Sequence, residues 1–372
     1  MRVGRRPVTE GGRQRNALSF RAAAGRVARM MRRILAGMAV GLVALLASSG
    51  AAAAEPAERF SFVAFGCMPY GKENFPAYER LLTEINRRRP AFSVHCGDTK
   101  SGGEPPTEAF MKQVHRWFDA LDGALVYTPG DNEWTDVHRR SAGGEDPLVW
   151  LAKVRTEYFA TERSMGRAPI ALVTQRREKG FEKFVENARW TRGGVVFATM
   201  HAVGSNNNRV KADDRERTAA ERESAWAEFR ERDAANVAWV RGVFAEARAT
   251  QAPGVALFFQ AEPFEAAEKD GKESGFTAWL AAIEAEAKRF EKPVWLVHAD
   301  EHRYRLEPKV KFPSGAKPDN VTRLGVFGAG DIHAVQVTVD PASKAVFLAG
   351  PLLVPDNVLP VLPQGKKGAG KK

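Results

Sequence analysis

Ala91-Phe92-Ser93-Val94-His95-Cys96-Gly97-Asp98 is an apolar run that ends in Gly-Asp, and it decides the fold because three other stretches share its plan. These are Phe65-Gly66-Cys67-Met68-Pro69-Tyr70, Pro129-Gly130-Asp131-Asn132-Glu133 and Ala299-Asp300-Glu301-His302, each placed after an apolar run that predicts a β-strand. In open α/β sheets, ligands bind beyond the carboxyl ends of the strands. We therefore expect these polar side chains to converge, and Asp, Asn and His together favour a metal site.

Strands and helices alternate along most of the chain, which indicates an α/β protein. The strands are predicted over residues 60–65, 91–96, 124–127, 193–200, 255–259, 294–297, 321–327, 334–339 and 345–348, and helices over residues 76–88, 109–121 and 218–248. The last three strands are separated only by turns, so late antiparallel strands join early parallel ones in two stacked sheets. With neither an internal repeat nor a long linker, residues 55–361 are predicted to form one domain.

The N-terminal segment has the pattern of a targeting sequence. An apolar stretch, residues 34–47, follows Arg32-Arg33 and precedes small residues that end at Ala54. This predicts a secretory signal cleaved near Ala54, with translation starting at Met30 or Met31, and a protein that is periplasmic or extracellular. The alternatives are a single membrane span, for which the apolar stretch is short, and a twin-arginine signal.

The excess of positive charge lies mostly at the chain ends. The 372 residues carry 56 Lys and Arg against 45 Asp and Glu, but residues 1–54 hold ten Arg and one Glu, which leaves 46 basic and 44 acidic residues. The flexible Gly/Lys tail, residues 362–372, supplies four of the remaining lysines. Because the body is close to neutral, no nucleic-acid binding is expected. A transmembrane segment is not expected in the mature chain either. The alternative use of the tail is contact with an anionic polymer or lipid.

Two cysteines, Cys67 and Cys96, are too few for a disulfide-stapled fold. They follow predicted neighbouring strands with an offset that makes a bridge between them geometrically marginal. A Cys67 thiolate can bind zinc or iron, and the alternative is a small buried side chain without a ligand role.

In order and spacing, the four stretches resemble the motifs of calcineurin-like metallophosphoesterases. That family carries Asp-x-His, Gly-Asp, Gly-Asn-His-Asp/Glu, an isolated His and Gly-His-x-His at strand ends of a four-layered αββα sandwich with two stacked mixed β-sheets. The matching positions here are Cys67-Met68-Pro69, Gly97-Asp98, Gly130-Asp131-Asn132-Glu133, His201 and Ala299-Asp300-Glu301-His302. A bacterial subgroup with Gly-Asp-x-Pro-Tyr, Pro-Gly-Asp-Asn-Glu-Trp and His-Gly-Asp-x-His is especially similar.

The resemblance implies an exported phosphoesterase that hydrolyses phosphate esters of small molecules or polymers by attack of a metal-bound hydroxide. It implies two divalent ions, Fe, Mn or Zn, because two cations generate the nucleophile and neutralise phosphoryl charge. By family position Asp98 bridges both ions, with Asp98, Asn132 and His302 as the catalytic residues. The implied ligands are Asp131 or Asn132, together with His201 and Asp300, for one ion, and His302 and Cys67 for the other.

Further residues near these motifs are expected to support the site or the substrate: His298, Glu133, His138, Arg139 and Lys100. Side chains alternate along a strand, so His298 is expected to point the same way as Asp300 and His302. Pro69 cannot bind a metal ion and Asn132 cannot donate a proton as an acid would. One metal site therefore stays open, and the alternative function is a degenerate relative that binds a phosphorylated ligand or a single metal ion without turnover.

Overall fold

The protein is described by a computed structural model over residues 58–358. The predicted signal segment, its cleavage site and the Gly/Lys tail lie outside these residues, so export stays a prediction. Within residues 58–358, none of the helices unites the length and the apolar character that a membrane crossing needs.

The described chain forms twelve strands and six helices of eight residues or more. The strands are β1 (Phe60–Phe65), β2 (Phe92–Cys96), β3 (Leu125–Thr128), β4 (Val173–Thr174), β5 (Ala188–Arg192), β6 (Val195–Thr199), β7 (Val255–Phe258), β8 (Val294–His298), β9 (Arg305–Pro308), β10 (Val321–Gly325), β11 (Ala334–Val339) and β12 (Phe347–Leu352). The helices are α1 (Phe75–Arg88), α2 (Glu108–Asp119), α3 (Pro147–Tyr158), α4 (Ala219–Ala249), α5 (Pro263–Asp270) and α6 (Thr277–Phe290).

Two mixed sheets organise these strands. The first has the order β12-β11-β1-β2-β3 and the second the order β4-β5-β6-β7-β8-β10-β9. In the first sheet β1, β2 and β3 are parallel, and β11 pairs antiparallel with β1. In the second sheet β6, β7, β8 and β10 are parallel. Each sheet therefore brings several carboxyl ends of parallel strands to one edge, where ligands of α/β folds bind.

The layers follow from the alternation of side chains along each strand. In β1, Phe62 and Ala64 point into an apolar core between the sheets, while Val63 and Phe65 face α1 and α2. The second sheet likewise packs its outer face against α4 and α6, with Trp239 at the centre of that contact. Both faces of the central strands are buried, which explains their continuous apolar sequence. The result is the expected α/β sandwich of two sheets between two helical layers.

Two details of the predicted topology differ from the structure. The last three predicted strands do not form one antiparallel group. β10 lies in the second sheet, parallel to β8, and the chain then crosses to β11 in the first sheet. Residues 146–190, which the sequence predicts to be helical or irregular, contain α3 and, in addition, β4 and part of β5. The two cysteines, Cys67 and Cys96, are both free and buried.

Candidate metal centre

The polar residues that follow five strands converge at one edge of the sandwich. They are Cys67 and Tyr70 after β1, Asp98 after β2, Asp131 and Asn132 after β3, Gln260 after β7, and Asp300 and His302 after β8. Both sheets therefore contribute to the site. This is the arrangement that the strand-end rule predicts.

Close backbone approach at two glycines brings the ends of β2 and β3 together. A Cβ added to Gly97 would lie 2.6 Å from the Gly130 nitrogen, and one added to Gly130 would lie 2.0 Å from Oδ1 of Asp98. Gly97 also has a φ of +78°, a conformation in which side chains are strained. Glycine at both positions is thus required for Asp98 to reach the centre of the site.

Glu133 fixes the loop that carries Asp98. Its Oε1 accepts hydrogen bonds from the Thr99 nitrogen at 2.6 Å and the Tyr127 hydroxyl at 3.1 Å. Its Oε2 accepts from the backbone nitrogens of Asp98 at 3.2 Å and Gly130 at 3.0 Å. Since four donors occupy this buried carboxylate, Glu133 holds the ends of β2 and β3 in register.

One group of possible ligands consists of Cys67, Asp98 and His302, with ligand atoms all within 4.8 Å of one another. The Cys67 sulfur lies 3.6 Å from Oδ2 of Asp98. The Tyr70 hydroxyl donates to the same oxygen at 3.0 Å and lies 3.4 Å from Nε2 of His302. Sulfur, imidazole and carboxylate together are a donor set that suits zinc or iron.

A second group consists of Asp98, Asp131 and Asp300, again within 4.8 Å of one another, so Asp98 belongs to both groups. Carboxylate oxygens suit a harder cation such as Mn²⁺ or Mg²⁺. In the middle of this group, however, lies the side-chain nitrogen of Gln260. Its distances to Asp98 Oδ2, Asp131 Oδ1 and Asp300 Oδ1 are 3.0, 3.1 and 2.9 Å.

Burial and mutual repulsion govern the charges of these carboxyls. Desolvation, followed by the charge of Asp131, raises the pKa of Asp98 well above its usual value. Desolvation and the charge of Asp300 raise the pKa of Asp131 to about 6. Desolvation also raises the pKa of Asp300 to about 6. Among the described residues, no Lys or Arg forms an ion pair with these three side chains, so a bound cation would relieve their repulsion.

The two groups differ in how well they fit a metal ion. Burial and the charge of Asp98 raise the pKa of the Cys67 thiol, and burial lowers the pKa of His302. A neutral imidazole is ready to bind a metal, and a bound cation would deprotonate the thiol. The first group therefore fits. The second does not fit a cation in this arrangement, because amide hydrogens of Gln260 point to the place that the cation would take.

Asn132 acts as a hydrogen-bond donor. Its side-chain nitrogen donates to Asp98 Oδ2 at 3.0 Å, to the Tyr70 hydroxyl at 3.1 Å and to the Lys100 carbonyl at 3.0 Å. An amide nitrogen in these contacts cannot bind a metal ion. In this arrangement Asn132 orients Asp98 through its nitrogen, and its expected role as a metal ligand stays a prediction.

His201 does not lie in either ligand group. Its Nε2 accepts from the Trp134 indole at 3.1 Å, and its Nδ1 lies 2.7 Å from Glu186, which pairs with Arg155 at 2.6 Å. Both ring nitrogens are thus engaged by buried protein groups. These contacts brace the chain segment that carries Trp134, and the expected role of His201 as a metal ligand stays a prediction.

The side chain of His298 forms its hydrogen bond with Arg323 and not with the possible metal ligands. Its Nε2 accepts from Arg323 at 2.8 Å, and Arg323 in turn pairs with Glu262 and Glu301. The alternation argument fails because β8 ends at His298, so the next residues no longer alternate as in a strand. His302 itself has a φ of +57°.

The remaining predicted supporting residues lie around the site at different depths. Arg139 pairs with Asp136 at 2.6 Å and donates to Ser205, which donates to Asp131 at 2.8 Å. The Lys100 ammonium donates to the carbonyls of Ser101 and Glu104, so it closes its own loop. His138 contacts the Thr135 carbonyl and Arg217, away from the carboxylates.

Three residues that touch the ligand groups are not among the predicted site residues: Tyr70, Ser205 and Gln260. Tyr70 stands inside the first quoted stretch, and Gln260 follows a predicted strand, so the strand-end rule already pointed to both. Ser205 lies in a short segment, Gly204–Asn207, with left-handed backbone at Ser205 and Asn206. A pattern of hydrophobic residues carries no signal for such a turn.

Comparison with known proteins gives likeness of fold. No family model and no curated protein matches the chain.

Solved structures that match include purple acid phosphatase PPD1 from yellow lupin (Lupinus luteus), with a TM-score of 0.50 at 11% identity over 82% of this chain and 53% of that one. The Plasmodium protein described as "GAP50 the anchor in the inner membrane complex" has a TM-score of 0.41 at 9% identity, covering 79% and 89%. A putative 5'-nucleotidase from Staphylococcus aureus has 0.40 at 8%, covering 80% and 54%. The chain thus spans about half the length of the phosphatase and of the nucleotidase.

Proposed function

Since the chain has the calcineurin-like metallophosphoesterase fold, we propose that it is an exported, metal-dependent phosphoesterase. The observation that carries this proposal is Asp98, a buried carboxylate shared by two groups of possible ligands at the carboxyl ends of the strands. A carboxylate in that place is suited to hold a metal ion against a phosphoryl group.

Cys67, Asp98 and His302 are the residues that would hold the metal ion. When bound, the ion would supply Lewis acidity, which lowers the pKa of a coordinated water and neutralises phosphoryl charge. Around it, the Tyr70 hydroxyl and the Asn132 amide both donate to Asp98 and set the direction of its carboxylate. These protein groups orient the site and keep Asp98 in one conformation.

Proton supply to the leaving group limits the substrate class. Asn132 is the residue placed beside Asp98, and an amide cannot give up a proton as an acid does. The leaving oxygen would then take its proton from water or from another nearby side chain, or depart as an anion. We therefore propose esters with good leaving groups, such as aryl phosphates, as better substrates than alkyl phosphates. Cleavage of 4-nitrophenyl phosphate would indicate a preference for monoesters, and cleavage of bis(4-nitrophenyl) phosphate a preference for diesters.

The proposal is tested by metal content and hydrolysis measured on the same preparation. The mature chain, purified from its native compartment, is assayed for bound transition metals by mass spectrometry and for hydrolysis of 4-nitrophenyl phosphate and bis(4-nitrophenyl) phosphate. We expect bound metal and turnover, both lost in Asp98→Ala with folding retained by circular dichroism. Full turnover in the metal-free protein would contradict the proposal.

Export is tested separately. N-terminal sequencing of the protein from the periplasm or medium is expected to start close to Glu55. A chain that keeps residues 34–47 and stays with the membrane would favour the single-span alternative.

A second candidate function is a degenerate relative that binds a phosphorylated ligand or one metal ion without turnover. The specific observation in its favour is the amide of Gln260 among three carboxylates. A Cys67→Asp variant discriminates between the two functions. If the wild type is inert and this change produces metal-dependent hydrolysis, loss of an ancestral ligand explains the inactivity.

A further inference from the structure

The side chain of Gln260 lies where the three carboxylates of Asp98, Asp131 and Asp300 face one another. The residue is fully buried, and its Nε2 is within 2.9–3.1 Å of one oxygen from each carboxylate. The three distances are nearly equal, so the nitrogen occupies the middle of the group. An amide nitrogen there supplies positive partial charge and two hydrogens.

The orientation of this amide is fixed by a donor on its other side. The backbone nitrogen of Gly204 donates to Oε1 of Gln260 at 2.6 Å. If the amide turned over, its NH₂ group would meet that N–H, and its oxygen would face three carboxylates. Both contacts would be repulsive without a cation. The Gly204 contact therefore keeps the amide nitrogen toward the acids.

Packing also keeps the side chain in place. A Cβ added to Gly97 would lie 2.8 Å from the Cβ of Gln260, and one added to Gly204 would lie 2.6 Å from Asp131 Oδ2. The Gln260 carbonyl accepts from the backbone nitrogens of Ala299 and Asp300. The stem of Gln260 thus packs against Gly97, the carboxylate of Asp131 packs against Gly204, and the backbone of Gln260 is tied to the loop that carries Asp300.

From these contacts we infer that the Gln260 amide takes the place of a second cation, so that the centre accepts at most one metal ion, on the side of Cys67 and His302. The outer oxygens of the same acids also have donors: Ser205 donates to Asp131 Oδ2 at 2.8 Å. On the side of Cys67 and His302 the nearest donor to Asp98 is the Tyr70 hydroxyl, whose single hydrogen can rotate away, whereas the amide hydrogens of Gln260 are held among the acids by the Gly204 contact. This inference concerns the number of ions and goes beyond the proposed hydrolysis.

The test compares metal stoichiometry in wild type and Gln260→Met, a side chain of similar length without amide hydrogens or a hard ligand atom. The full mature chain is dialysed against Mn²⁺ or Zn²⁺, freed of loose ions by gel filtration and weighed by native mass spectrometry. We expect no more than one ion in the wild type and one additional ion in Gln260→Met. The reason is that three facing carboxylates without their donor attract a cation.

Two further variants serve as controls. Gln175→Met removes another fully buried glutamine amide, one that contacts Glu178 and the Ala235 carbonyl, and should add no ion. Adding Asp131→Asn to Gln260→Met should abolish the extra ion, since it removes one of the three carboxylates. An extra ion in the Gln175 variant would mean that the gain is not specific, and this would overturn the inference.

Other outcomes also decide the matter. Two ions in the wild type, or an equal number in wild type and Gln260→Met, would overturn the inference. Fewer ions in the variant would show that Gln260 binds metal through its oxygen. If Gln260→Met fails to fold, Gln260→Glu keeps the shape and should gain one ion and a larger rise in Tm with Mn²⁺ than the wild type. No gain would again overturn the inference. A wild type that holds one ion without turnover contradicts the proposed function alone.

Discussion

The Tyr70 hydroxyl donates a hydrogen bond of 3.0 Å to Oδ2 of Asp98, the carboxylate common to both ligand groups. Tyr70 comes from the loop after β1 and Asp98 from the loop after β2, so this contact joins two neighbouring strand ends. It also places a neutral donor on an oxygen that a metal ion would share.

Tyr70→Phe removes that donor and leaves the ring in place. In the metal-free protein we expect a loss of about 1–2 kcal/mol in the free energy of unfolding, because Asp98 loses one hydrogen-bond partner in a buried site. With metal bound the loss should be smaller, since the cation stabilises the carboxylate instead. Urea unfolding with chelator and with Zn²⁺ measures both values.

Tyr78→Phe is the matched control. The Tyr78 hydroxyl is buried without a hydrogen-bond partner, so its removal should cost little and should not depend on metal. Equal losses in both variants would mean that the Tyr70 contact with Asp98 contributes nothing specific.

Asp131 gives the metal-free protein a pH dependence of unusual sign. Its pKa is raised from 3.8 to about 6 in the folded protein, so the native state binds more protons than the unfolded state between these values. The stabilising contribution is complete below about pH 4 and is lost as pH rises through about 6, by about 3 kcal/mol in total. Asp131→Asn should remove this loss.

The measurement is the difference in unfolding free energy between wild type and Asp131→Asn from pH 4 to pH 7 in chelator. The difference cancels the opposite contributions of carboxyls such as Glu186, whose pKa is lowered by Arg155 and His201 against the effect of burial. A difference that is constant over this range would contradict the prediction.

Glu133→Gln replaces an acceptor of four hydrogen bonds by a group that accepts at one end only. Two of the four donors lose their partner, and we expect a loss of about 2–4 kcal/mol in unfolding free energy. Asp98 should also be displaced, so metal affinity should fall. Denaturant unfolding and metal titration check both effects.

Glu145→Gln is the comparison, since Glu145 is exposed and close in sequence. It should change neither stability nor metal binding. If Glu133→Gln were as benign as this control, the connection of β2 to β3 would have to rest on other contacts.

His201→Ala and His302→Ala are expected to behave in opposite ways. His201→Ala leaves the buried Trp134 indole without a partner and removes one of the two partners of Glu186, which keeps Arg155; this should cost about 2–3 kcal/mol of stability while the metal content stays unchanged. His302→Ala should lose the metal with a smaller loss of stability, because His302 is only partly buried. Metal analysis measures the metal content of both variants, and thermal unfolding measures their stability. Metal lost from a folded His201→Ala would make His201 a ligand.

The two stacked sheets and the position of the centre were predictable because they follow from simple rules. Apolar runs buried on both faces mark β1 and β2, and Asp98 stands directly after one of them. The structure confirms the fold and brings Asp98, Asp300 and His302 together, while their role as ligands stays a prediction. By contrast β9, with the sequence Arg-Leu-Glu-Pro, lies at a sheet edge and lacks the apolar run that would reveal it.

Other features were not predictable because they depend on how chemically similar groups are oriented. The two ends of the Asn132 amide differ only in which one faces Asp98, and the sequence contains no record of that choice. His201 follows a strand as a ligand would, yet its ring nitrogens are taken by Trp134 and Glu186. Gln260 met the strand-end rule, but its nitrogen among three acids emerges only from three-dimensional contacts.

The hydrogen bond of Gln260 to Asp98 spans 162 residues, and the contact of Tyr70 with His302 spans 232. Contacts between such distant parts of a chain form late in folding, since long loops must close first. A chain that has been synthesised or delivered only as far as residue 290 has no centre at all. A metal ion held by Cys67, Asp98 and His302 would therefore require nearly the whole domain, which would tie the onset of the proposed function to the end of folding.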